Sequence, residues 1–134
     1  MYARPQGTQY WQFTNDYALA RTGENNNVQP TSRFFLVKHF TDLTPQHSDA
    51  LAASSDQPAV LVTAFRKGAT YTLHILNLGA GREVNLAGLP DLQWRVVETT
   101  EGGPFQQGPP LRSVGAAMRM NLPAKSLVTI TTGQ

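Results

Sequence analysis

The stretch 58-PAVLVTAFRKGATYTLHILNL-78 decides the fold. Its two runs, PAVLVTAFR and TYTLHILNL, are rich in β-branched and aromatic residues and flank the turn signal KGA at 67–69. That arrangement predicts a β-hairpin. In the second run Tyr71, Leu73 and Ile75 share one face, and Thr72 and His74 take the other, the period of two expected of a strand. After Ile75 the alternation slips, because Leu76 and Leu78 become the apolar positions. The slip predicts either a bulge or a strand buried on both faces.

Downstream, REVNLAG (82–88), QWRVVETT (93–100), LRSVGAAMRMN (111–121) and KSLVTITT (125–132) read as further strands. They are separated by the turn signals GAG, GLPD, GGPFQQGPP and LPA. With a short strand at 49–54, the spacing is that of a β-sandwich. No helical pattern lies between the strands, which argues against parallel βαβ units.

Upstream, the period changes. TSRFFLVKHFTDL (31–43) lies between Pro30 and Pro45, with Leu36, Val37, Phe40 and Leu43 recurring at helical steps and Phe34 and Phe35 widening the apolar face. Thr31 or Ser32 is placed to cap it. Before it, RTGENNNVQP (21–30) reads as a surface loop. TQYWQFTNDYALA (8–20) packs Tyr10, Trp11, Phe13 and Tyr17 into a segment that reads as an inner strand. The fold class is therefore mainly β: an antiparallel β-sandwich of about six to eight strands with one N-terminal α-helix. It divides into a strand–loop–helix segment at 1–47 and a sandwich domain at 48–134.

Composition narrows the function classes. The chain has 134 residues, 40% apolar and 15% charged, with 9 Pro and 11 Gly, which suits one turn-rich domain. The net charge is +2 and Arg66-Lys67 is the only adjacent basic pair. No basic stripe points to nucleic acid. No apolar run approaches the roughly 20 residues of a membrane span. With no cysteine in the sequence, disulfides and thiolate chemistry are excluded. MYARPQGTQ has neither the charged flank nor the apolar stretch of a signal peptide, and the compartment is left open.

Catalytic patterns are scarce. Glycosidic hydrolysis needs two carboxyl groups about 5 Å or roughly 6.5–9.5 Å apart. Glu98 and Glu101 are the nearest pair, and they read as solvated charges where a strand enters a Gly-rich loop. His47 and Asp49 could share one side of an extended segment, but a metal site needs a third ligand. There is no G-x-S-x-G, P-loop or G-x-G-x-x-G motif, and no cofactor or metal is expected. Aromatic faces offer a different chemistry, stacking on sugars. Trp11, Tyr17 and Trp94 are the candidate carbohydrate-binding residues, with a core role as the alternative for Trp94 in QWRVV.

WQFTNDYALA, a loop and the PTSRFFLVKHF helix together resemble the last strand and helix of a clan A glycosidase barrel. AVLVTAFRKGATYTLHILNLGAGREVNLAGLP and LPAKSLVTITT resemble the C-terminal β-sandwich of family 30 glycoside hydrolases. The resemblance runs from about residue 8 to the end. It implies that Trp11 corresponds to an aromatic residue flooring the subsite where the bond is cut. It also implies that the family's two catalytic glutamates belong to barrel strands absent here, and that the sandwich is normally completed by a strand from before the barrel. No catalytic residue is carried over.

Three readings follow. The first is a non-catalytic accessory β-sandwich domain of a glycoside hydrolase-like protein, structural and in contact with polysaccharide. The second is a stand-alone carbohydrate-binding module using exposed aromatics, and the third a small glycoside hydrolase with its own site. A chain cut from a longer glycosidase is expected to leave apolar helix surface or an open sheet edge bare. That predicts a homodimer.

Overall fold

The computed structural model describes residues 18–133, so the aromatic segment up to Tyr17 lies outside the described residues. The chain divides into two compact units, residues 1–35 and 36–134. In the first, β1 (Ala20–Thr22) pairs antiparallel with β2 (Val28–Pro30). Part of the stretch read as a loop is thus a small hairpin. Its connection includes a 3-10 turn at Glu24–Asn26, with Asn25 and Asn26 at φ 61° and 59°, a left-handed geometry that Asn tolerates well.

Helix α1 (Ser32–Leu43) begins where the sequence predicts. The Thr31 hydroxyl donates to the carbonyls of Ala18 at 2.8 Å and Leu19 at 3.1 Å. The residue expected to cap the helix therefore ties it to the segment before β1.

The second unit carries β3 (Asp49–Leu51), β4 (Val60–Lys67), β5 (Thr70–Asn77), β6 (Arg82–Ala87), β7 (Gln93–Thr100), β8 (Gly103–Arg112), β9 (Ala117–Leu122) and β10 (Ser126–Thr131). Six of these form an antiparallel sheet in the order β3-β4-β5-β10-β7-β8, and β6 and β9 form a two-stranded ribbon. Sheet and ribbon face each other across one core. Val60, Leu73, Ile75, Trp94, Val96, Val128 and Ile130 come from the sheet, and Met118, Met120 and Leu122 from the ribbon. The fold class is as predicted, a mainly β sandwich, with layers of unequal width.

The hairpin at 58–78 forms with the predicted turn, Val60 to Lys67 running opposite Asn77 to Thr70 without a break. The slip after Ile75 is not a bulge. Thr72, Leu73, His74 and Ile75 are all buried, so β5 is covered on both faces. Leu76 lies on the outer face between its cross-strand partners Leu61 and Leu127.

The stretch 102–110, read as a turn, is instead most of β8. Two prolines in the middle of a run argue against a strand, but β8 is the sheet's last strand and is bulged twice. Pro109 and Pro110 together oppose Arg95, and Pro104 and Phe105 oppose Thr99. The prolines fall where an edge strand needs no ladder donor. The run 111–121, read as one strand, is broken at Ser113–Ala116, with Gly115 at φ 63° and Ala116 at 59°.

Ser113 explains how Trp94 can be fully buried. The indole Nε1–H donates to Ser113 Oγ at 2.9 Å, the Leu92 amide donates to the same oxygen at 3.1 Å, and Ser113 donates to the Pro90 carbonyl. A buried indole N–H without a partner is costly. Ser113→Ala is expected to lower unfolding free energy by about 1–3 kcal/mol. Urea denaturation reads this, and an unchanged midpoint would show that Ser113 carries no such role.

Candidate functional site

The three aromatic residues singled out for sugar stacking fare differently. Trp11 and Tyr17 lie outside the described residues. Trp94 is 0% exposed, on the inner face of β7 with Val96, and Tyr71 packs against it with ring centroids 6.5 Å apart. It presents no face to a ligand. The period of two that put it on a strand also turned it inward, and Ser113 satisfies its one polar atom.

The narrow ribbon leaves part of the wide sheet uncovered. An open groove of about 880 Å³ lies along β6. Val60, Val62 and Ala64 of β4 and Tyr71, Leu73 and Ile75 of β5 line its floor. Its sides are β6, with Glu83 and Asn85, and the segment from Leu51 to Gln57 that joins β3 to β4. Among the described residues, β6 pairs only with β9, so its outer edge faces this groove with unpaired backbone groups. A strand edge beside an apolar floor is chemically suited to take up another extended segment. The sequence did not announce the groove, because it arises from a layer being two strands wide. No residue pattern encodes that.

Glu101 is exposed and paired with Lys125 at 3.3 Å, as expected for a solvated loop charge. Asp42 pairs with Lys38 one helical turn away, and that hydrogen bond holds its carboxyl below the usual range. Among the described residues no cluster of three or more His, Asp or Glu could hold a metal ion.

Two histidines do come together. His39 of α1 and His74 of β5 sit between the helix and the outer face of the sheet, and both contact Thr129 Oγ1 at 2.7 Å. Burial pushes His39 down to about 4, and burial followed by the nearby His39 pushes His74 down to about 3. Phe40 stacks over the His74 ring at 4.1 Å, and Phe105 meets His39 edge-on at 5.1 Å. The helix was expected to present Leu36, Val37, Phe40 and Leu43. Its buried residues are instead His39 and Leu43, while Leu36 and Phe40 are 37% and 44% exposed. His39 was missed because it is polar, although it stands three residues after Leu36 and four before Leu43.

By sequence, the chain matches no protein-family model and no curated protein. By structure, it matches several glycosidases. A GH30 endoxylanase from Clostridium papyrosolvens C71 superposes with a TM-score of 0.72, over 78% of this chain and 28% of its own, at 14% identity. A glycoside hydrolase family 30 subfamily 8 xylanase from Clostridium acetobutylicum gives 0.77, over 86% and 30%, at 14% identity. The catalytic domain of GH30 xylanase C from Talaromyces cellulolyticus gives 0.73, over 90% and 29%, at 16% identity.

The fold is that of part of a family 30 glycoside hydrolase chain. Identities of 14–16% establish the fold alone. The chain spans less than a third of the family 30 xylanases it matches, at 28–30% of their lengths.

Proposed function

We propose that this chain is a non-catalytic accessory β-sandwich of a glycoside hydrolase-like protein, and that its work is structural. The observation that carries the reading is the lopsided coverage: 86% of this chain answers to 30% of the Clostridium acetobutylicum xylanase. In the family it resembles, the paired glutamates belong to barrel strands that this chain does not contain. The groove beside β6 supports the same reading. It is where an extended segment from the rest of a glycosidase-like protein would complete the narrow layer, burying Val62 and Tyr71 and pairing the strand edge.

The purified chain, incubated with xylan and with β-1,6-glucan, is expected to release no reducing ends above a blank. Turnover abolished by Glu98→Gln or Glu101→Gln would overturn the reading, since it would require a site within this chain.

The finer part of the proposal is contact with polysaccharide through Trp11 and Tyr17, the two aromatic candidates that lie outside the described residues. Xylo-oligosaccharides are expected to shift tryptophan emission saturably, and Trp11→Ala to remove the shift. An unaltered emission across the titration leaves a purely structural unit.

The isolated chain is also proposed to form a homodimer, through the apolar helix face or the β6 edge that no described strand pairs. Light scattering reads the mass directly, and a monomer at high concentration rejects this part.

A further inference from the structure

The side of α1 that meets the sheet is polar at its centre. His39 and His74 are 0% and 2% exposed, and each of their four ring nitrogens meets a threonine hydroxyl. His39 Nε2 is 2.9 Å from Thr99 Oγ1 and His39 Nδ1 is 2.7 Å from Thr129 Oγ1. His74 Nδ1 is 2.7 Å from the same Thr129 oxygen, and His74 Nε2 is 2.7 Å from Thr44 Oγ1.

A hydroxyl has one proton, so Thr129 donates to one imidazole and accepts from the other. The chain of hydrogen bonds then runs in one direction, and each ring is neutral where it accepts at one nitrogen and donates from the other. Thr99 sets that direction. Its buried oxygen already accepts the Phe105 amide at 2.9 Å, so its own proton goes to His39 Nε2. His39 then donates from Nδ1 to Thr129, Thr129 donates to His74 Nδ1, and His74 donates from Nε2 to Thr44. The half-buried Thr44 can pass its proton to solvent. The reverse direction would leave the Thr99 proton buried without an acceptor, which is costly.

We propose that this relay is an acid-sensitive latch. It holds the segment Leu36–Leu43 of α1 on the six-stranded sheet only while both imidazoles are neutral, and proton uptake frees the segment before the sandwich unfolds.

A proton added to His39 Nε2 or His74 Nδ1 turns an acceptor towards a hydroxyl that is already donating, so one bond of the relay is lost. Among the described residues no carboxylate faces either ring to compensate the new charge. On α1 the charged groups are Arg33 in the first turn and Lys38 and Asp42, the last two paired with each other, and Lys38 Nζ also lies 4.7 Å over the Phe105 ring. The outer faces of β4, β5 and β10 carry Leu61, Thr63, Phe65 and, at the strand end, Lys67, then Thr72, His74 and Leu76, then Leu127, Thr129 and Thr131. None is a carboxylate. From β7 this face receives Arg95, Glu98 being on the opposite side, and β8 has no charged residue before Arg112. The following loop brings His47.

The sign follows from depressed pKa values. The docked state has its full stability above about 6.5, the ordinary histidine value. As pH falls towards about 4 for His39 and about 3 for His74, docking weakens. The loss is about tenfold per pH unit for each histidine that release exposes.

Release is local because the helix is the weaker attachment. Its buried residues are His39 and Leu43, and among the described residues a bond from Thr72 Oγ1 to the Leu43 carbonyl at 2.8 Å ties its end. β5 and β10 are laddered along both edges.

Hydrogen–deuterium exchange of the full chain at pH 7 and 4.5, corrected for intrinsic rates, tests the latch. Opening of 36–43 is expected to rise at least about tenfold at the lower pH while β10 stays protected. Equal opening at both pH values, or β10 opening in step with the helix, would overturn it. His39→Gln keeps a donor and an acceptor without titrating, and should make the pH response shallower by the His39 share, leaving that of His74. Imidazole nitrogen NMR of the unmodified chain is independent of any variant's folding. It should show His39 protonated at Nδ1 and His74 at Nε2, and matching tautomers or folded-state titration near the ordinary value would sink the proposal.

Discussion

Strand β10 must be covered on both faces, and the rest of the second unit is arranged to do it. All six of its residues are buried. Its edges are closed by β5 and β7, which satisfies the backbone groups that burial would otherwise strand. Its inner face, Val128 and Ile130, joins the core against Met118, Met120 and Leu122 of the ribbon. Its outer face alternates Leu127, Thr129 and Thr131, and Thr129 is the hydroxyl that both histidines share. An apolar core on one side and a polar relay on the other thus meet in one strand. Apolar burial is tolerant of small shifts, whereas the relay works only with every donor and acceptor matched.

The two layers of the sandwich are unequal, and the inequality links fold to proposed function. Among the described residues, six strands face two. A two-stranded ribbon cannot cover the inner faces of β4 and β5 as well as those of β7 and β10, so a groove of about 880 Å³ is left along β6. Unpaired strand edges over apolar floors are association sites unless something fills them. An accessory domain that completes its narrow layer with a segment of a larger protein has a use for such an edge. A self-contained domain would need to blunt it.

Much of the fold was legible in the sequence, for reasons that can be assigned to particular residues. The hairpin at 58–78 followed from alternation and the KGA turn, and the helix from Leu36, Phe40 and Leu43 between two prolines. β8 was not legible, because its prolines obey the rule for turns. Only its edge position and two bulges opposite Arg95 and Thr99 make them acceptable in a strand. The candidate site was less legible still. Trp94 offered a core and a sugar-stacking role with the same pattern, and Ser113, which settles the matter by accepting its N–H, stands 19 residues away with no local signal.

By itself the sequence determined the helix and most of the strands, β8 and the β1–β2 hairpin apart, because hydrophobic period and turn chemistry are properties of neighbours along the chain. It also determined that the two tryptophans, three histidines and nine acids form no catalytic motif by spacing. Tertiary structure decided everything that depends on residues far apart in sequence. It turned Trp94 inward, left β6 with an edge that no described strand pairs, and set His39 against Thr129 across 90 positions. The reason is physical: a polar side chain declares no partner until the fold removes water from around it, and only then does its hydrogen bonding become compulsory.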